Sequence, residues 1–301
     1  MLEATHQRTV TKQMPNYYTH LTFGARALEL LPPALQAALD AQRPAFDLGC
    51  LGPDPLFFFR PGIPNPVRRE GMTMHHRSAL PAFRRLRAAV EERVPMAGGY
   101  AAGFLCHLAL DSGCHGWILD RCARGDMNHL AMEAEFDRLL MERDGLEPLR
   151  RSYLPPVPER AVFQAAACAF AGADAAQVEA GYRSMRRDTA LMARLHGTLA
   201  GGALTRASGR IKTLRETQGM ILRAEMEQKY TESNQALERL VEKALPAAAE
   251  QIEKFFEAVR AGTPLSRWLD RDFEGGMGLW EESLPGLCGR SPLWRQSPDT
   301  P

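Results

Sequence analysis

The sequence predicts an all-α protein. Apolar residues recur at helical spacing through most of the chain, and no stretch shows the strict alternation of a half-buried strand. No internal repeat is visible, which argues for a bundle around one core rather than a solenoid.

Residues 1–14 read as a polar tail. Leu21 to Leu39 carries a helical pattern that Pro32-Pro33 should end or restart. Residues 43–71 hold six prolines and four glycines among aromatics. They are expected to form a long ordered loop or a pair of short turns, a kind of segment that tends to be functional. Ala79 to Arg93 reads as an amphipathic helix. Gly98 to Leu119 is the most apolar segment and should be a central, buried helix. Asp126 or Asn128 can cap the next helix, which runs to about Arg143.

Pro155–Ala171 and Ala175–Leu199 each read as helices. Residues 213–261 are rich in Glu, Lys, Leu and Ala, with Pro246 as the expected break. The last forty residues hold many Gly and Pro, with Trp268, Trp280 and Trp294 as anchors. The expected division is a tail over 1–14, a helical domain over 15–200, a C-terminal helical layer over 201–262 and a Gly/Pro-rich tail over 263–301.

At 301 residues, 45% hydrophobic and 24% charged, the composition is that of a globular protein. A net charge of +1 gives no global field toward nucleic acid or an anionic membrane. Arg60, Arg68 and Arg69 still leave room for a local basic patch. No apolar run is long enough to span a bilayer. The first thirteen residues lack a signal-peptide core, so a cytoplasmic location is expected. None of the six cysteines forms a CxxC pair, and reduced, mostly buried thiols are expected.

The chemistry concentrates in the apolar helix. His107, Asp111 and His115 are four apart, which stacks all three on one face. His129 and Glu133 repeat the spacing on the next helix. Buried imidazoles and carboxylates are costly without partners, and this is the donor set that zinc prefers. A lone His is more often a packed core residue, and a lone His-x-x-x-Glu is more often an ion pair. Five such groups on two consecutive helices point instead to metal. Upstream candidates are Asp54 in the turn Leu51-Gly52-Pro53-Asp54-Pro55, His20 before the first amphipathic pattern, and one of the adjacent pair His75 and His76. Asp54 alone would equally suit a turn. His6 and His196 have no supporting context.

The order His20, Asp54, His75, His107-x3-Asp111, His115, His129-x3-Glu133 resembles the zinc-dependent phospholipase C family of bacteria and the related S1/P1 nucleases. The local texts are similar too: Tyr18-Thr19-His20 with Phe23-Gly24, Gly52-Pro53-Asp54, Gly103-Phe104-Leu105-Cys106-His107, and Glu133-x-x-Phe136-Asp137. The likeness covers roughly residues 15–140. It implies a phospholipase C/P1 nuclease-like helical bundle carrying two or three zinc ions. By that resemblance, Asp54, His75, His107 and Asp111 would hold one zinc. His115, His129 and Glu133 would hold a second, and His20 with the bridging Asp111 a third. His75 is preferred to His76.

Two departures stand out. The gap from Asp111 to His115 is shorter than in the secreted phospholipases. Nineteen residues precede His20, whereas in the secreted enzymes the mature amino terminus binds the third zinc.

The resemblance further implies hydrolysis of a small-molecule or lipid phosphodiester by a zinc-activated water, with Asp54 as general base. Phe57, Phe58 and Phe59 suit either an apolar wall for substrate or the core. Two alternatives are a single-strand nuclease or 3′-nucleotidase on the same metals and a non-catalytic zinc protein.

Overall fold

The computed structural model describes residues 17–125, 127–210 and 219–275. Among these residues eleven α-helices run in the order α1 (Tyr17–Glu29), α2 (Pro33–Asp40), α3 (Arg43–Cys50), α4 (Pro66–His75), α5 (Leu80–Glu91), α6 (Ala97–Ala123), α7 (His129–Arg143), α8 (Arg160–Ala167), α9 (Ala175–Leu195), α10 (Leu199–Arg210) and α11 (Lys229–Ala261). Short 3-10 turns occupy Asp54–Phe58 and Arg267–Leu269. No strand occurs among the described residues, as the missing alternation predicts.

The apolar segment forms the axis of the bundle. α6 is buried along nearly all of its length, from Ala97 to Ile118. It packs against α1, α3, α5, α8 and α11. Its tightest neighbour is α3, and the cause is two glycines. A Cβ on Gly103 would lie 2.0 Å from the Phe46 carbonyl, and one on Gly49 would lie 2.3 Å from the Tyr100 carbonyl. Backbone therefore touches backbone. α11 lies along another side of α6 and contributes Leu240, Leu245, Ile252 and Phe255 to the same core.

Five expectations need correction. The helical stretch expected over 213–261 begins only at Lys229, with residues 219–228 irregular. Residues 43–71 are largely helical rather than loop: α3, the 3-10 turn and most of α4 lie there. Their prolines start helices instead of breaking them. Pro44 and Pro66 occupy the first turns of α3 and α4, where an absent N–H costs nothing. The segment after Pro155 becomes helical only at Arg160, because the intervening prolines hold the chain extended. The helical pattern of 175–199 ends at Leu195, with α10 starting separately at Leu199. Pro246 does not end α11, which continues through it. The residue is exposed, so the carbonyl it leaves free one turn back faces water.

Cys50, Cys106 and Cys114 are buried free thiols, as expected, with Cys122 and Cys168 half-buried. Trp268 is half-buried under the Arg271 guanidinium, 4.0 Å from its ring. Trp280, Trp294, Cys288, Asp126 and His6 lie outside the described residues. No helix among the described residues is long and apolar enough to cross a membrane.

Candidate metal centre

Each donor side chain is positioned by a local device. Asp137 accepts from the Tyr18 and Thr19 amides (2.9 and 2.8 Å) and the Thr19 hydroxyl (2.6 Å), fixing the first turn of α1 and with it His20. Burial, countered in part by those donors, raises the Asp137 pKa to about 6. Asn65 caps α4 through the Arg68 amide, and the helix ends at His75. Asn128 caps α7 through the Ala131 amide at 3.0 Å. This puts His129 and Glu133 in the first turns, facing α6. Asp54 opens the 3-10 turn.

These elements bring all eight candidates together. The Asp111 carboxylate is the hub. Its Oδ1 lies 3.3 Å from His20 Nε2 and 3.7 Å from His115 Nε2. Its Oδ2 lies 3.1 Å from His107 Nε2 and 3.8 Å from His75 Nε2. Asp54 Oδ1 is 3.3 Å from His75 Nε2 and 3.9 Å from His107 Nε2. Glu133 Oε1 is 3.2 Å from His115 Nε2 and 2.7 Å from His129 Nε2. Donors at zinc's bond length of about 2.0–2.1 Å, spread tetrahedrally, stand about 3.3 Å apart. Half of these separations, 3.1–3.3 Å, lie near that edge length. Three sets, His20–Asp54–His107, His75–His107–Asp111 and His115–His129–Glu133, each gather donor atoms within 4.8 Å of one another.

The imidazoles are also oriented for metal. Three of them place Nδ1 on a backbone carbonyl: His75 on Gly71 (2.8 Å), His107 on Cys50 (3.1 Å) and His115 on Phe273 (2.9 Å). A ring that donates from Nδ1 keeps its lone pair on Nε2, pointing at the acids. The Cys50 carbonyl reaches His107 because α3 sits directly against α6.

Unmet polar atoms converge on the same place. His20 Nδ1 and Nε2, Asp54 Oδ1, His75 Nε2, His107 Nε2 and Asp111 Oδ2 are buried without a hydrogen bond to any described residue. Orphans of this kind are rare singly. Five groups, each offering one such atom to the same place, fit a cation bound by carboxylate oxygen and imidazole nitrogen. The electrostatics agree. Burial by itself would raise the Asp111 carboxyl, but the facing His107 and His115 rings outweigh it and hold it well below the usual range. Burial would lower the His20 pKa, yet Asp111, aided by Asp54 and Asp137, raises it.

Of the adjacent pair, His75 is buried at the site, while His76 is exposed and pairs with Glu274 at 3.1 Å. Phe57 and Phe58 are core residues, 1% and 3% exposed, and the Phe57 ring packs 5.0 Å from His75. Phe59 is half-buried under Arg60. His196 stands away from the site, its Nδ1 accepting from the Leu222 amide.

Sequence reasoning missed Phe273, which contributes a carbonyl to His115 and a ring against His75 and His107. It lies in an irregular segment with no periodicity to flag it. Asp137 was detectable as the next turn on the Glu133 face. A groove of about 770 Å³ between α4, α5 and the Ala171–Gly172 turn is edged by Arg69, Arg77 and Arg85. Its inner end reaches the fully covered Phe273.

No curated protein and no solved structure matches the chain. A family model for zinc dependent phospholipase C matches residues 19–172, just over half of the 301 residues. The matched span contains every donor gathered around Asp111: the chain belongs to the zinc dependent phospholipase C family.

Proposed function

We propose that this protein is a zinc-dependent phosphodiesterase of the phospholipase C type, acting on a lipid or small-molecule phosphodiester. The convergence of buried imidazole nitrogens on the two oxygens of Asp111 carries this reading. Asp54, His75, His107 and Asp111 form one ligand set. His115, His129 and Glu133 form another, with His20 and the second oxygen of Asp111 as a third. Zinc held there would supply positive charge to the phosphate and lower the pKa of a water molecule.

The protein's own groups do the rest. Backbone carbonyls fix three imidazoles, so the donors are organised before substrate arrives. With Asp54 Oδ1 turned toward the ligand set, the other oxygen of that carboxylate would accept the proton of the attacking water. Low exposure of the whole cluster removes bulk water and strengthens each electrostatic contact with the developing charge. The groove leading to Phe273, lined by Pro66, Met74 and Pro81 with arginines at its edge, takes the apolar arm of the diester. Burial of Phe57 and Phe58 favours a lipid over single-stranded nucleic acid, which needs exposed rings to stack on.

The test is metal analysis of the wild type and Asp111→Ala together with hydrolysis of bis-p-nitrophenyl phosphate. The expected result is more than one zinc per wild-type chain, and loss of both metal and turnover in the variant. An Asp111→Ala protein with normal zinc and normal turnover would defeat the reading.

A further inference from the structure

The family match ends at residue 172, yet the centre uses a segment a hundred residues further on. Among the described residues beyond that limit, Asp270–Gly275 is the stretch that hydrogen-bonds to donor histidines. The Phe273 amide donates to the His75 carbonyl at 3.2 Å, and the Phe273 carbonyl accepts from His115 Nδ1 at 2.9 Å. Its ring lies 5.2 Å from His75, 5.6 Å from His107 and 5.8 Å from Phe104, and is fully buried.

The flanks are pinned on both sides. The Arg271 carbonyl accepts from the Ala79 amide at 2.8 Å, and Asp270 accepts from the Ser78 hydroxyl at 2.6 Å. Glu274 pairs with His76 at 3.1 Å. Gly275 has a φ of +74°, and a Cβ there would lie 2.3 Å from the Ser112 carbonyl, one residue past Asp111. Only glycine closes the segment so tightly onto α6.

We infer that Asp270–Gly275 is a clasp completing the metal centre, and that Phe273 is its positioning residue. The inference rests on the zinc reading of the same site. The Phe273 carbonyl commits His115 to the tautomer protonated at Nδ1. The His115 Nε2 lone pair then faces Glu133 Oε1 at 3.2 Å and Asp111 Oδ1 at 3.7 Å. The buried ring holds that carbonyl in place and packs against the rings of His75 and His107. One residue thus supports a donor from each of two ligand sets.

The experiment uses the full chain loaded with zinc or cobalt, with its histidines labelled with nitrogen-15. Phe273→Ala is expected to weaken the tighter-held zinc complement by tenfold or more. It should alter the cobalt absorption spectrum, speed metal loss to a chelator, and erase the slowly exchanging Nδ1–H resonance that His115→Gln also removes. Phe273→Leu, which keeps an apolar anchor, should restore metal affinity to within about threefold. Gly275→Ala, which pushes the clasp off Ser112, should shift the same readouts in the same direction with the ring intact. A folded Phe273→Ala protein with wild-type zinc affinity and an unchanged His115 resonance overturns the inference. If Phe273→Ala does not fold, unchanged zinc affinity in Gly275→Ala overturns it. None of these readouts uses turnover, so absence of phosphodiesterase activity would sink the proposed function and leave the clasp to stand or fall on its own.

Discussion

The two ends of the candidate metal centre are built differently. At one end, His20, Asp54, His75 and His107 come from four separate elements, and their inward atoms are buried without hydrogen bonds to the described residues. At the other, His115, His129 and Glu133 come from consecutive helices, and Glu133 Oε1 already lies between two imidazoles at 3.2 and 2.7 Å. His129 also keeps 12% of its side chain exposed. Without metal, the second end can satisfy itself by sharing protons between imidazole and acid. The first end holds its imidazoles 3.1–3.9 Å from its acids in poorer hydrogen-bond geometry, so its substitute is weaker. The lesson is that the long-range end should depend on the metal for its integrity, while the local end depends on it mainly for chemistry.

The comparison can be broken most directly by removing one acid from each end. Asp54→Asn is expected to cost on the order of a hundredfold in bis-p-nitrophenyl phosphate turnover, and Glu133→Gln about tenfold. Equal losses, with equal zinc contents by elemental analysis, would erase the distinction.

Chelation gives the next largest effect. Ligand at a thousandfold above its Kd stabilises by about 4 kcal/mol, which corresponds to about 10 °C in Tm for a protein of this size. Calorimetry before and after chelator should show that drop, reversed by added zinc. Hydrogen exchange should locate the loosening around α4 and the Asp54 turn before α7. Loosening confined to α7 would contradict the comparison.

Asp137→Ala sharpens it. The substitution leaves two amides and a hydroxyl at the start of α1 without their acceptor, at a cost of about 2–4 kcal/mol in urea unfolding. Zinc loss should follow the His20 donor, with the His115–His129–Glu133 set retained.

The smallest effect lies away from both ends and serves as a metal-independent reference. Burial, with Arg138 beside it, pushes the His196 pKa down to about 4. The unfolded chain then takes up a proton between the ordinary histidine value of about 6.5 and 4 that the folded chain refuses. Stability is therefore intact above the upper value and falls with pH through that window, by about 2 kcal/mol at pH 5. His196→Asn, which keeps an acceptor for the Leu222 amide, should flatten that limb in urea titrations from pH 7 to 5.

The sequence made the local end of the centre fully legible. The spacing of His107, Asp111 and His115, and of His129 and Glu133 behind the Asn128 cap, is a one-helix property that periodicity reads directly. The long-range end was legible as a set of candidates only. Nothing in the chain near His75 tells it apart from His76; burial decides, and burial depends on how α4 packs. The prolines at 44 and 66 concealed helices because the same residue that breaks an interior turn suits a first one. Phe273 was invisible, because its role is a backbone carbonyl and any residue type supplies one. Phe57 and Phe58 turned inward because the 3-10 turn faces α4 and α9.

Where α3 crosses α6, Gly49 and Gly103 leave no side chain between the two backbones. The distance from the Cys50 carbonyl to His107 is therefore governed by bonded geometry and van der Waals radii, which thermal motion barely alters. Adding one methyl group at either crossing point would act as a shim, tilting a whole helix and throwing His107 out of line with Asp54 while touching no donor atom. Such a variant would fold around a misaligned centre, and its defect would be found in the hinge of two missing carbons rather than in any group that meets the substrate.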